Sequence, residues 1–148
     1  MTDFQVDENT GTIEVQERHQ FDVTSLQDYM RDNVDGYSGE LSVEEFAGGQ
    51  SNPTYLLTAG GNRYVLRRKP PGKLLKSAHA VDREYRVLSA LQDTEVPTAK
   101  TYALCTDDSI IGTWFYIMEY LDGRVIWDCT AGPYSPQERG EFWDSANE

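Results

Sequence analysis

Cysteine and histidine are nearly absent from the chain. Two cysteines, Cys105 and Cys129, and two histidines, His19 and His79, are scattered over 148 residues. Neither a disulfide framework nor a zinc-ligand spacing can be built from them, so both thiols read as ordinary side chains. No run of about 18 apolar residues occurs, so no segment has the form of a membrane-spanning helix. The start, Met1-Thr2-Asp3-Phe4, lacks the basic opening and apolar stretch of a secretion signal, and a soluble, cytoplasmic protein is expected. Basic residues are also scarce: 13 Lys plus Arg against 25 Asp plus Glu give a net charge of −12. A nucleic acid or an anionic membrane would approach against a repulsive field, so neither is expected as a partner.

What is present suffices for one folded domain. The sequence is 39% hydrophobic and 11% aromatic, enough to fill a single core at this length. The charge is unevenly placed. Residues 1–45 hold 12 acids and 2 bases, residues 63–86 hold 2 acids and 8 bases, and residues 87–148 hold 11 acids and 3 bases. A single positive band therefore lies in an acidic molecule, and it is either a solvated Arg/Lys face or an anion site.

Periodicity places the elements. Residues 1–20 are polar and aperiodic and read as a mobile or loosely docked lead-in. Asp22 can cap a helix whose Leu26, Tyr29, Met30 and Val34 recur near 3.6 spacing, with Gly36 ending it. Strand signals follow over Leu41 to Phe46, Thr54 to Thr58 and Arg63 to Arg68, separated by Gly48-Gly49 and Gly60-Gly61-Asn62. After Pro70-Pro71-Gly72 a second helix is predicted from about Ser77 to Leu91. Two more strands are predicted, Thr101 to Cys105 and Trp114 to Leu121, joined by the polar turn Thr106-Asp107-Asp108-Ser109. The expected fold is α+β: a five-stranded antiparallel sheet with a packed helix, preceded by a short helix. Ser135-Pro136-Gln137-Glu138 has the form of a capping box with proline at the first helical position. The helix it announces reaches Glu148 with no closing signal, which suggests a longer natural chain.

Three places could carry chemistry. On the second helix, Val81, Leu88 and Leu91 mark an apolar stripe, and Glu84 falls on it at helical spacing. A carboxylate there needs a cationic partner. In Tyr64-Val65-Leu66-Arg67-Arg68 side chains alternate, so Val65 and Arg67 share one face, and Arg67 is the partner expected. The pair could be structural or functional. Gly48-Gly49-Gln50-Ser51-Asn52 is either a plain hairpin turn or a cradle of backbone N–H groups for an anion. The strand Phe115-Tyr116-Ile117-Met118-Glu119-Tyr120-Leu121 running into Asp122-Gly123 is either core or the wall of a site for a flat aromatic ligand.

The order of these pieces is that of the ATP-binding lobe of the protein-kinase-like fold: a glycine turn, a cation on the third strand, a helix glutamate, then a strand ending in Met-Glu-Tyr-Leu. The wording GGQSNPTYLL, YVLRRKPPGKLLKSAHAVDREYRVLSAL and GTWFYIMEYLDGRV resembles the N-terminal part of the aminoglycoside phosphotransferase and choline kinase superfamily. It is most similar to the branch fused to some acyl-CoA dehydrogenases, from Phe21 to the end. The resemblance implies a flexible lead-in over 1–20, an ATP-binding lobe over 21–132, and at 133–148 the start of a helix leading to a C-terminal lobe that this chain lacks. It implies that Arg67 holds the α and β phosphates, that Glu84 orients Arg67, and that Gly48, Gly49, Gln50, Ser51 and Asn52 cover the phosphates. Val65 would pack over adenine, Met118 would sit behind it, and the backbones of Glu119 and Leu121 would take its two hydrogen bonds. Arg67 departs from the commoner lysine, keeping the charge but offering a bidentate head. His79, Arg68, Lys69, Lys73 and Lys76 receive no role beyond local charge.

In the superfamily a His-x-Asp loop supplies the catalytic aspartate, followed by a metal-binding asparagine and a further metal-binding aspartate. Here the residues two places after His19 and His79 are Phe21 and Val81. No catalytic residue and no metal ligand is therefore expected in this chain, and magnesium is expected only with the C-terminal lobe. The implied cofactor is ATP. The implied partner is a small-molecule hydroxyl acceptor, with hydroxyacyl-CoA, aminoglycosides and amino alcohols as the range. The alternative is a non-catalytic interaction module that reuses the lobe.

Overall fold

Strict alternation of side chains builds the sheet. In the computed structural model, which describes residues 11–48, 51–73, 78–123, 125–126 and 130–147, the strand Thr54–Ala59 buries every second residue: Tyr55, Leu57 and Ala59. Asn9–Leu121 form one compact unit, and Asp122 onward belongs to a second. In the first unit the strands are β1 (Thr12–Ile13), β2 (Ser42–Phe46), β3 (Thr54–Ala59), β4 (Asn62–Arg68), β5 (Thr101–Cys105) and β6 (Phe115–Glu119). All neighbours are antiparallel, in the order β1-β2-β3-β4-β6-β5.

The sheet thus has six strands, one more than expected from sequence. The addition is β1, two residues that pair Thr12 with Phe46 and Ile13 with Glu45. A single 3-10 turn, Glu17–His19, follows it. Two residues carry no readable alternation, and what fixes this segment is Glu45, which accepts hydrogen bonds from the Gln16 N–H and side-chain amide.

One face of the sheet holds the core. Tyr55, Leu57, Tyr64, Leu66, Ala103, Cys105, Phe115 and Ile117 pack with Leu26 and Met30 of helix α1 (Val23–Asn33). Full burial of Leu26 and Met30 contributes about 1.5–3 kcal/mol each. Asp22 caps α1, its carboxylate accepting from the N–H groups of Thr24 and Ser25. The other face meets helix α2 (Val81–Leu91), which lies against β5 and β6.

Two local readings change. The polar turn expected at Thr106–Ser109 is the start of a one-turn helix, α3 (Asp108–Ile111), because Asp107 caps it at the Ser109 N–H and Ile111 is buried in the core. Helix α2 begins at Val81 rather than near Ser77, which lies outside the described residues; His79 takes φ +56°, a left-handed backbone that cannot continue a helix. In the second unit, α4 (Pro136–Asn147) opens with the reciprocal cap of Ser135 and Glu138. Among the described residues no helix is long and apolar enough to cross a membrane.

Candidate functional site

Strand register puts the two key residues of the α2 face beside each other. Val65 lies opposite Met118 and Arg67 opposite Tyr116 in the β4–β6 ladder, so these four side chains share that face. Helix α2 lays Glu84 over it, with Oε2 2.8 Å from Arg67 Nε. The Nε–H is turned off the N···O line, so the contact is an ion pair rather than an aligned hydrogen bond. Its partners are 34% and 37% exposed. The helix stripe is shallower than expected: Val81 is buried, whereas Leu88 and Leu91 are only half-buried.

Glu84 has two more donors. The Tyr116 hydroxyl donates to Oε2 over 3.1 Å, and the Asn52 side-chain N–H donates to Oε1 over 3.3 Å. Burial, then the Glu84 charge, pushes the Tyr116 hydroxyl far above the usual phenol range, so it remains a donor. Asn52 Oδ1 lies 2.8 Å from His79 Nδ1. These groups line an open cavity of about 840 Å³, with Ser51 and Arg83 on its rim.

Of the residues singled out from sequence, Ser51, Asn52, Arg67 and Glu84 meet in this cavity. Asn52 differs from its expected setting: it is 4% exposed, and its amide is occupied by Glu84 and His79. Val65 and Met118 lie on the same sheet face outside the cavity lining. The Glu119 N–H donates to the Lys100 carbonyl over 2.7 Å, and Leu121 is 61% exposed. Gly48 is described, half-buried after β2, whereas Gly49, Gln50, Lys76 and Cys129 lie outside the described residues. Tyr116 and His79 are among the cavity residues to which the sequence assigns no role. Tyr116 was findable, because it has the parity of Met118 in the strand. His79 carried no sequence signal, since a left-handed residue before the helix brings it to Asn52.

A sheet with a helix on each face and a cation on its third long strand ion-paired to a helix glutamate is the arrangement of a kinase-like fold. The chain belongs to the phosphotransferase enzyme family, whose model matches residues 42–148. It is similar to a solved "putative aminoglycoside phosphotransferase" from Ralstonia eutropha, with a TM-score of 0.71 and 50% identity over 84% of this chain and 35% of that one. It is 47% identical to the "Probable acyl-CoA dehydrogenase IBR3" of Arabidopsis thaliana over 91% of this chain and 18% of that protein. Against human "Acyl-CoA dehydrogenase family member 11" it is 42% identical over 88% of this chain and 17% of that protein. The chain thus spans under a fifth of these curated relatives.

Proposed function

We propose that this chain is the nucleotide-binding lobe of an ATP-dependent small-molecule phosphotransferase, with the catalytic base and metal ligands supplied by polypeptide outside these 148 residues. The observation that carries the reading is the Arg67–Glu84 pair at the cavity wall beside Ser51. A nucleotide's phosphates need a fixed cation, and a guanidinium grips them bidentately. Glu84 engages Nε, so the phosphates are taken by the Nη edge of Arg67. Adenine lies over Val65 in front of Met118; its amino group donates to the Glu119 carbonyl and a ring nitrogen accepts from the Leu121 N–H. Only the carbonyl of Glu119 is offered, because its N–H is committed to Lys100.

ATP supplies the phosphoryl group, and a base outside this lobe takes the acceptor's proton. The acceptor is a small-molecule hydroxyl. Relatives named acyl-CoA dehydrogenases favour a hydroxyacyl thioester as that acceptor. The test is an ATP titration of the isotope-labelled chain: amides near Ser51 and Arg67 shift with a dissociation constant of about 1 mM, and Arg67→Ala abolishes the shifts. Shifts that persist in that variant overturn the site. With millimolar ATP and magnesium, ADP forms no faster than in buffer; faster release overturns the division of labour.

A further inference from the structure

We propose that Asn52 is a positioning residue, tying the turn after β2 to the start of α2, and that with His79 and Tyr116 it sets Glu84, and through Glu84 the guanidinium of Arg67, before any ligand arrives. The proposal rests on the reading of this cavity as a nucleotide site. It follows from which groups can donate. A carboxylate only accepts, so the Asn52 atom facing Glu84 Oε1 at 3.3 Å is the NH2 group. The amide oxygen therefore faces His79 Nδ1 at 2.8 Å, and that nitrogen must carry a proton. The bonds run one way, from His79 through Asn52 to Glu84.

Both oxygens of Glu84 are thereby engaged, Oε1 by Asn52 and Oε2 by Tyr116 and Arg67. For Asn52 to reach a phosphate instead, its buried amide would have to abandon Glu84 and His79 together. The left-handed backbone of His79, with its carbonyl accepting from the Val81 N–H at 2.9 Å, brings the imidazole to Asn52 immediately before α2 begins. Non-glycine residues in this region cost free energy, and histidine tolerates it better than most. The tie thus links the turn after β2 both to the start of α2 and to Glu84 within it.

Long-range proton–nitrogen NMR of the nucleotide-free chain reads the tautomer directly. His79 is expected with a proton on Nδ1; Asn52→Asp keeps that state because an acceptor remains, and Asn52→Ala loses it. A neutral His79 protonated on Nε2 in the unaltered chain overturns the brace. ATP affinity then separates positioning from contact. Asn52→Ala weakens binding about three- to tenfold in the unaltered chain. In a Glu84→Ala background, which keeps Arg67 to hold ATP but has lost the carboxylate that Asn52 positions, the same substitution adds nothing. Equal losses in both backgrounds mean that Asn52 touches the phosphates itself, and the proposal falls. If the unaltered chain gives no ATP shifts at all, the nucleotide reading fails, and the His79 tautomer with its response to Asn52→Ala still decides the brace.

Discussion

Arg67 and Arg68 are neighbours in the chain and point to opposite faces of the sheet. Arg67 is 34% exposed beside Glu84, whereas Arg68 is 2% exposed, its Nη1 3.5 Å from the His19 carbonyl oxygen and its guanidinium over the Phe21 ring. The basic band of the sequence is therefore divided between two duties.

Substituting each arginine separates those duties. Arg67→Ala removes half of a pair more than a third exposed on its Glu84 side, so the stability lost is at most about 1 kcal/mol. Arg68→Ala empties a buried position next to Tyr55 and Glu45, at a cost of about 3 kcal/mol. Urea midpoints should fall mainly in Arg68→Ala, and ATP-dependent shifts should vanish in Arg67→Ala alone. The reverse pattern would mean that the faces have been misassigned.

Two glycines in the β3–β4 turn test a close approach. A Cβ on Gly60 would lie 2.5 Å from the Ser38 carbonyl oxygen, at φ +55°, while a Cβ on Gly61, at φ +81°, meets nothing within 4 Å. Gly61→Ala carries only the backbone cost, about 1 kcal/mol, and Gly60→Ala adds the clash with Ser38. The melting temperature should therefore drop further for Gly60→Ala. Equal drops would show that the loop at Ser38 gives way.

Strand parity was the most legible feature of the sequence. It puts Val65 and Arg67 on one face, and the position of Glu84 on the apolar stripe of α2 then points to Arg67 as its partner. Features set by tertiary contacts were not legible. Strand β1 is too short to show alternation, and α3 depends on Ile111 finding the core rather than on its polar start. The sequence offers Ser51 and Asn52 as extra donors beside the free backbone of their turn, yet the Asn52 amide is held by Glu84 and by His79, a residue 27 places away whose own conformation is left-handed.

Buried tyrosines give the fold an alkaline limit. Burial pushes the Tyr55 hydroxyl up to about 12, against a partial lowering by Arg68, and burial also raises Tyr29, Tyr64 and Tyr116. An unfolded tyrosine titrates near 10, so between about pH 10 and 12 the unfolded chain loses protons that the folded chain keeps. The tyrosine contribution to stability is fully present up to about pH 9 and is lost across that window. Urea midpoints from pH 7 to pH 11.5 check the sign, and Tyr55→Phe should make the fall shallower. A midpoint that rises above pH 10 would contradict the burial of these hydroxyls.

Glu45 is the anchor of the first strand. At 2% exposure its carboxylate accepts from the Gln16 N–H and Nε2 at 3.0 Å each, and its Oε1 lies 2.6 Å from His19 Nδ1. The Gln16 N–H donates to this carboxylate, and β1 itself offers only the pairs Thr12 with Phe46 and Ile13 with Glu45. Glu45→Gln keeps the shape but turns one acceptor into a donor facing other donors, at a cost of about 1–3 kcal/mol. The loss should be local. Exchange of the Ala47 amide, which donates to the Gly11 carbonyl at 3.0 Å, should quicken while the amides of the β3–β4 ladder stay protected. If Ala47 remains as protected as before, the two-residue strand holds itself in place, and Glu45 is buried for some reason other than fastening it.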